Sequence, residues 1–202
     1  RDLTNNKNLP DQIENTSGSI TWSLDSKSFF YSKLDKFHRP RKIYKHFLGR
    51  PVESDELIFD EKDETFTCSI GLTSDEKYFI ISTSDHITTE EYFFESIRDD
   101  IEPKLFRKRK KDVRYSLDSW KEYFYVHTNE NARDYKILRC KKDNIENLEE
   151  FIPPKKETVI GGLDFLDDYI IRAEKSDAIP KLYVRNISTN QEEEIKISNE
   201  PI

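Results

Sequence analysis

The sequence predicts an all-β chain of about four consecutive four-stranded antiparallel units, and three observations carry that prediction. The first is a repeated phrase. Ser23-Leu24-Asp25-Ser26-Lys27-Ser28-Phe29-Phe30-Tyr31 aligns with Thr73-Ser74-Asp75-Glu76-Lys77-Tyr78-Phe79-Ile80-Ile81, with Ser116-Leu117-Asp118 leading to Tyr123-Phe124-Tyr125, and with Leu163-Asp164 leading to Tyr169-Ile170-Ile171. The second is its period. The aspartates at 25, 75, 118 and 164 stand 50, 43 and 46 residues apart, and one blade of a β-propeller takes roughly 40 to 50. The third is patterning. No stretch carries the 3.6-residue periodicity of a long amphipathic helix, whereas short aromatic and β-branched runs alternate with charged residues at the period of a half-buried strand. Residues 1–202 therefore read as a partial β-propeller, an array of blades with no room for a second domain.

Residues 1–12 read as the remnant of an outer strand plus a linker, and the blades as roughly 17–61, 64–108, 112–153 and 157–198. In each blade the aspartate is expected in a polar turn joining the first two strands, because Asp and Ser side chains bond nearby backbone amides. Third strands are expected at Lys42-Ile43-Tyr44-Lys45-His46-Phe47, Glu91-Tyr92-Phe93-Phe94-Glu95, Tyr135-Lys136-Ile137-Leu138-Arg139 and Lys181-Leu182-Tyr183-Val184-Arg185. Weaker runs, Glu56-Leu57-Ile58-Phe59, Pro103-Lys104-Leu105-Phe106, Leu148-Glu149-Glu150-Phe151-Ile152 and Glu194-Ile195-Lys196-Ile197, make outer edge strands, where charge and proline blunt edge-to-edge pairing. Residues 143–150 read as a loop feeding such an edge. Ile20, Trp22, Phe30, Ile70, Phe79, Ile81, Phe124, Val126, Ile160 and Ile170 or Ile171 are expected to be mostly buried.

Composition narrows the class. Charged residues make up 36% of the chain and aromatic residues 12%, so rings must fill the core between blades. The sequence shows neither a signal peptide nor an apolar run long enough to span a membrane. Cys68 and Cys140 lie among apolar neighbours, which suits reduced, buried thiols and a cytoplasmic setting. The net charge of −7 argues against nucleic acid as a partner. The chain contains no methionine and reads as a piece of a longer protein.

Candidate chemistry is sparse. The glycines at 18, 49, 71, 161 and 162 never form the Gly-x-Ser-x-Gly turn that exposes a serine nucleophile. The four histidines, at 38, 46, 86 and 127, form no zinc-type pair. His46 reads as a hydrogen-bonded side chain at a strand end, and His38 and His86 as solvated loop residues. The acidic stretch Asp60-Glu61-Lys62-Asp63-Glu64 lacks the ligand order of a calcium loop and reads as a solvated connection. Arg107-Lys108-Arg109-Lys110-Lys111 is the one concentrated basic run. No catalytic, metal-binding or cofactor-binding residue is assigned, and no cofactor is expected.

The ordered succession Trp22-Ser23-Leu24-Asp25, Tyr44-Lys45-His46-Phe47-Leu48-Gly49, Glu61-Lys62-Asp63-Glu64-Thr65-Phe66, Thr88-Thr89-Glu90, residues 107–112, Tyr115-Ser116-Leu117-Asp118, Thr128-Asn129 and Ile152-Pro153-Pro154 resembles the propeller of the prolyl oligopeptidase family, in its oligopeptidase B (protease II) branch. The resemblance implies a cytosolic serine peptidase that cleaves short peptides after Lys or Arg. It also implies a catalytic α/β-hydrolase domain, absent from this chain, as the propeller's partner, with the propeller excluding large folded substrates. No residue here inherits a catalytic role. The connections from each fourth strand to the next first strand should share one propeller face. There Asp63, Glu64, Arg107 and Arg109 are the expected interdomain surface. A second reading, from the repeats alone, is a free-standing propeller-type protein-binding module.

Overall fold

The computed structural model describes residues 2–196. Among these described residues, sixteen strands form four antiparallel sheets of four, each a meander in chain order. The first sheet holds β1 (Thr16–Trp22), β2 (Ser28–Leu34), β3 (Pro40–Phe47) and β4 (Glu56–Asp60); the second holds β5 (Thr67–Leu72), β6 (Tyr78–Ser84), β7 (Thr89–Glu95) and β8 (Lys104–Arg107). The third holds β9 (Tyr115–Trp120), β10 (Tyr123–Thr128), β11 (Lys136–Lys141) and β12 (Glu149–Ile152); the fourth holds β13 (Thr158–Phe165), β14 (Tyr169–Ser176), β15 (Ile179–Asn186) and β16 (Glu192–Ile195). The chain divides into two compact units, residues 1–112 with the first two sheets and residues 113–202 with the last two. Residues 2–7, expected as an outer-strand remnant, form a turn closed by an isolated Asp2 to Lys7 bridge. Arg1, Ile197 of the last expected run and the expected end of the fourth blade at 198 lie outside the described residues.

The repeated phrase builds the same turn twice and a different one afterwards. In the first sheet the Asp25 carboxylate accepts from Ser23 Oγ at 2.7 Å and from the Lys27 amide at 3.0 Å, while Ser26 takes a left-handed φ of 58°. The second sheet repeats this atom for atom: Asp75 accepts from Thr73 Oγ1 at 3.0 Å and from the Lys77 amide at 3.2 Å, with Glu76 at φ 57°. The aspartate thus fixes the hairpin. In the third sheet Asp118 instead lies within β9, opposite Tyr125, and the reversal is the two-residue loop Lys121-Glu122 with Lys121 at φ 51°. Asp164 likewise lies within β13, opposite Ile171, and the turn falls at residues 166–168. The strands there run on past the aspartate, to Trp120 and Phe165, before turning, so the aspartates that set the period occupy the hairpin turn in two sheets only.

In the first unit the core lies between the two sheets: Phe30 and Ile43 meet Cys68, Phe79, Ile81 and Phe94, with the Phe30 and Phe79 rings 4.7 Å apart. In the second unit Tyr125, Ile137 and Ile152 meet Ile160 and Ile170. Each such side chain contributes roughly 1.5–3 kcal/mol on burial, the largest favourable term in this strand-built fold. Cys68 and Cys140 are both buried and neither forms a disulfide, and burial pushes the Cys68 thiol up to about 12.

Of the residues expected in the core, Phe30, Phe79, Ile81, Phe124, Val126, Ile160 and Ile170 are buried, whereas Ile70 and Ile171 are half-buried. Ile20 and Trp22 depart from expectation, at 49% and 43% exposure. The reason is strand alternation. Thr21 Oγ1 donates to the Ile70 carbonyl at 3.0 Å, so it is the Thr21 face of β1 that meets the second sheet. Ile20 and Trp22 therefore point the other way, where with Phe29 and residues 8–12 they line an open cavity of about 520 Å³.

Candidate docking surface

In an antiparallel meander the turn between the second and third strands and the connection leaving the fourth emerge at the same end. At that end of the first unit lie residues 35–39, 61–66, 85–88 and 108–112. Local chemistry shapes the first three. Asp35 accepts from the amides of Phe37 and Arg39, Asp85 from those of Ile87 and Thr88, and Asp63 from both the amide and the hydroxyl of Thr65. Longer bonds tie the loops together. Arg39 Nη1 donates to the Glu64 carbonyl at 2.6 Å, the Arg41 guanidinium donates to the Glu61 carbonyl, and the Asp112 amide donates to Thr88 Oγ1 at 3.2 Å.

Arg109 is the hub. Its guanidinium lies 3.8 Å above the Phe66 ring. Its amide donates to Glu90 Oε1 at 2.8 Å, its Nε and Nη2 donate to Glu90 Oε2 at 3.0 and 2.8 Å, and Nη2 also reaches Glu61 Oε2 at 2.7 Å. Glu61 and Glu90 are buried. Burial alone would disfavour the arginine's charge, but the hydrogen bonds and charges of Glu90 and Glu61 outweigh it and raise its pKa. Burial likewise pulls the Glu90 carboxyl upward, and the bonds from Arg109 more than offset this, holding it below the usual carboxylate range.

The four expected surface residues accordingly divide. Asp63 and Glu64 are exposed, with Asp63 Oδ2 3.8 Å from Arg109 Nη1. Arg107 is half-buried at the end of β8, opposite Glu91 of β7. Arg109 is turned inward as a brace between the connection at 61–66 and β7. Glu61, read from its acidic neighbours as solvated, is 5% exposed because Arg109 needs a second carboxylate. Sequence reasoning missed the two glutamates. The available signal was Glu90, last residue of the Thr88-Thr89-Glu90 motif, whose spacing to residues 107–112 matches the adjacent β7 and β8.

The same end of the second unit is joined by neutral bonds. The Arg114 amide donates to Asn129 Oδ1 at 2.7 Å, and Thr128 Oγ1 donates to the Arg114 carbonyl at 2.9 Å. His127 Nε2 donates to the Ile160 carbonyl at 2.7 Å, and burial lowers the pKa of the ring, keeping it neutral. Lys155 adds an ion pair there, with Glu174 at 2.6 Å, a carboxylate that Arg172 Nε also reaches at 2.8 Å.

At the opposite end of the first sheet sits a second ionic cluster. His46, 0% exposed, bonds Asp55 Oδ1 through Nδ1 at 2.7 Å and Asp11 Oδ1 through Nε2 at 3.0 Å. Tyr31 Oη donates to Asp55 Oδ2 at 2.9 Å, and the Gly49 amide donates to Asp11 Oδ1 at 2.5 Å. Burial opposes the imidazolium, but the bonds to Asp11 and Asp55 outweigh it and raise the histidine pKa. The ring lies at a strand end as expected, while His38 and His86 are exposed loop residues.

Residues 1–200 match the family model for the prolyl oligopeptidase N-terminal β-propeller domain. Protease 2 of Moraxella lacunata is 27% identical over 186 residues, covering 91% of this chain and 27% of that protein. Among solved structures, oligopeptidase B of Trypanosoma brucei, with covalently bound antipain in a closed form, superposes with a TM-score of 0.87 at 21% identity, covering 96% of this chain and 29% of that one. Oligopeptidase B of Leishmania major gives a TM-score of 0.89 at 18% identity, covering 98% and 29%. The chain thus spans under a third of the length of the proteins it matches, and its four sheets are four blades of their propeller fold. With the family model matched almost end to end, the chain belongs to the prolyl oligopeptidase N-terminal β-propeller family.

Proposed function

We propose that this chain is the non-catalytic, substrate-filtering propeller segment of a cytosolic serine oligopeptidase that hydrolyses short peptides after Lys or Arg. In this reading the braced end of the first unit is a docking face for the hydrolase domain of the same enzyme. The carrying observation is the similarity to Protease 2 along 91% of the chain, joined to the ordered motifs of the oligopeptidase B branch. Division of labour within the charged loops supports the docking role. Arg109 holds the face rigid, while Asp63 and Glu64 remain exposed to meet a partner. Exposed ion pairs at a seam are worth under about 1 kcal/mol each, which suits a contact that opens and closes.

The test uses the enzyme that carries this chain. Replacing Asp63 and Glu64 together by Lys should change KM for a short Arg-containing fluorogenic peptide and its salt dependence, while leaving the propeller's Tm nearly unchanged. Kinetics identical to the unaltered enzyme at low salt would remove the docking role. Specificity is checked separately: Arg or Lys before the scissile bond should raise kcat/KM by about a hundredfold or more over Ala, since a charged side chain demands paired groups in the site. Equal rates would overturn the basic-residue assignment.

A further inference from the structure

A cavity of about 300 Å³ opens in the second unit between the third and fourth sheets, at the strand ends opposite the Asn129 turn. Its walls include Trp120, Tyr123, Tyr125 and Phe151, with the guanidiniums of Arg139 and Arg185 among them. Trp120 is fixed by stacking on Phe165, with ring centroids 5.6 Å apart, and its buried indole N–H has no acceptor. Phe151 carries one guanidinium 4.8 Å from its centroid and the other 4.9 Å away. The two cations therefore lie no more than about 10 Å apart.

Neither arginine is neutralised across its whole fork. Glu149 takes only the Nε of Arg139, at 2.6 Å. Glu192 takes the Nε of Arg185 at 2.9 Å, but both its oxygens also serve Arg172, at 2.6 and 2.9 Å. One carboxylate is thus divided between two guanidiniums. Arg139 is also hydrogen-bonded to the Tyr125 side chain, whereas the Nη edge of Arg185 retains donor capacity for a planar acceptor. Lys121 and Glu122 line the same cavity with opposite charges, so the arginines set its balance, and because Glu149 and Glu192 already pair with them the positive charge left to be met is small. A monoanion fits this balance better than a phosphate ester. The volume stands at the lower end of the roughly 300–1,000 Å³ of small-molecule sites, enough for an amino-acid-sized ligand.

We propose that this cavity binds a small aromatic carboxylate. The ring lies among the aromatic walls, and the carboxylate takes the Nη edge of Arg185, with the charge of Arg139 nearby and the indole N–H of Trp120 as a further donor.

The probe is 3-phenylpropionate, titrated into the chain while the two indole N–H resonances are followed by NMR and assigned with Trp22→Phe. The acid should bind saturably and move the Trp120 resonance but not that of Trp22. Its neutral amide, the same shape without the charge, should bind at least about tenfold more weakly, the worth of one charge-assisted hydrogen bond. Arg185→Gln should weaken the acid by a similar factor, and Arg50→Gln in the first unit should leave it unchanged. Acid and amide binding equally well to the unaltered chain would overturn the proposal, as would a Trp120 resonance that never moves. The acid-to-amide comparison needs no variant and stands even if Arg185→Gln disturbs folding.

Discussion

The first unit uses one device twice, at opposite ends of its strands, with a different cation each time. At one end Arg109 lies between the buried carboxylates of Glu61 and Glu90 and fastens an inter-sheet connection to β7. At the other, His46 lies between Asp11 and Asp55 and fastens residues 8–12 to β3. Both are a cation set between two largely buried carboxylates, holding two acidic segments together. The guanidinium cannot lose its proton in the physiological range, whereas the imidazole can. One end is therefore a permanent brace and the other a brace that depends on pH, although the geometry of the two is nearly the same.

The largest test of this contrast is Arg109→Met. It preserves much of the stem's packing on Phe66 but leaves Glu61 and Glu90 buried with no cation, and breaking a buried pair from one side costs about 3–5 kcal/mol. Thermal denaturation of the chain should show that loss as a pronounced fall in Tm at neutral pH, and lowering the pH toward 5 should recover part of it as the stranded carboxylates take up protons. A near-unchanged Tm would mean that Arg109 is a surface charge after all, and the brace would have to be abandoned.

The two glutamates should not be equal. Glu90 accepts three bonds from Arg109 and a fourth from Tyr92 Oη, while Glu61 accepts one from Arg109 and one from the Asp63 amide. Glu90→Gln should therefore cost about 2 kcal/mol and Glu61→Gln about 1, since bonds to charged groups are worth about 1.5–3 and neutral ones about 1. Denaturant midpoints measured at one pH separate them. The reverse order would place the main anchor of the brace on the connection rather than on β7.

How these clusters were hidden in the sequence follows from distance along the chain. Strand positions were legible because alternation is local, and the Ser23-to-Lys27 and Thr73-to-Lys77 turns because an aspartate bonds amides two residues away. The partners of Arg109 lie 19 and 48 positions off, and no local pattern distinguishes Glu61 from Glu64. His46 was legible as bonded but not to what, since Asp11 sits 35 residues earlier in a linker. The exposure of Ile20 and Trp22 was missed for a related reason. Alternation fixes which residues share a face, but not which face meets the neighbouring sheet.

At the histidine end the expected signature is pH. The His46 pKa is raised above its ordinary 6.5, so its stabilising contribution is complete below about 6.5 and is lost as pH rises through the higher folded value. Asp11 has the opposite sign: its pKa is lowered by the bond from His46, which outweighs burial, so its contribution persists above the usual 3.8 and fades only in strong acid. Hydrogen exchange at the Gly49 amide, bound to Asp11, should therefore lose protection roughly tenfold between pH 6 and pH 9 after correction for intrinsic rate, equivalent to about 1.4 kcal/mol. The Arg109 amide, bound to Glu90, should keep its protection across the same window. His46→Gln should abolish the difference between the two pH values. Parallel loss at both amides would erase the contrast between permanent and titratable cations.

The smallest effect belongs to Asp63, and it asks how far the permanent brace extends. Asp63 Oδ2 stands 3.8 Å from Arg109 Nη1 with its side chain 47% exposed, whereas Glu61 is 2.7 Å away and 5% exposed. Water screens the first pair and not the second, so Asp63→Asn, which can keep the bonds to Thr65 through its amide oxygen, should move the denaturant midpoint only slightly, well short of the shift from Glu61→Gln. That small shift should shrink further at 1 M salt, where the screening length falls to about 3 Å. A loss as large as that of Glu61→Gln, insensitive to salt, would make Asp63 a third member of the buried cluster. It would then no longer be free for a partner, and the docking face would have to be carried by Glu64 and its neighbours instead.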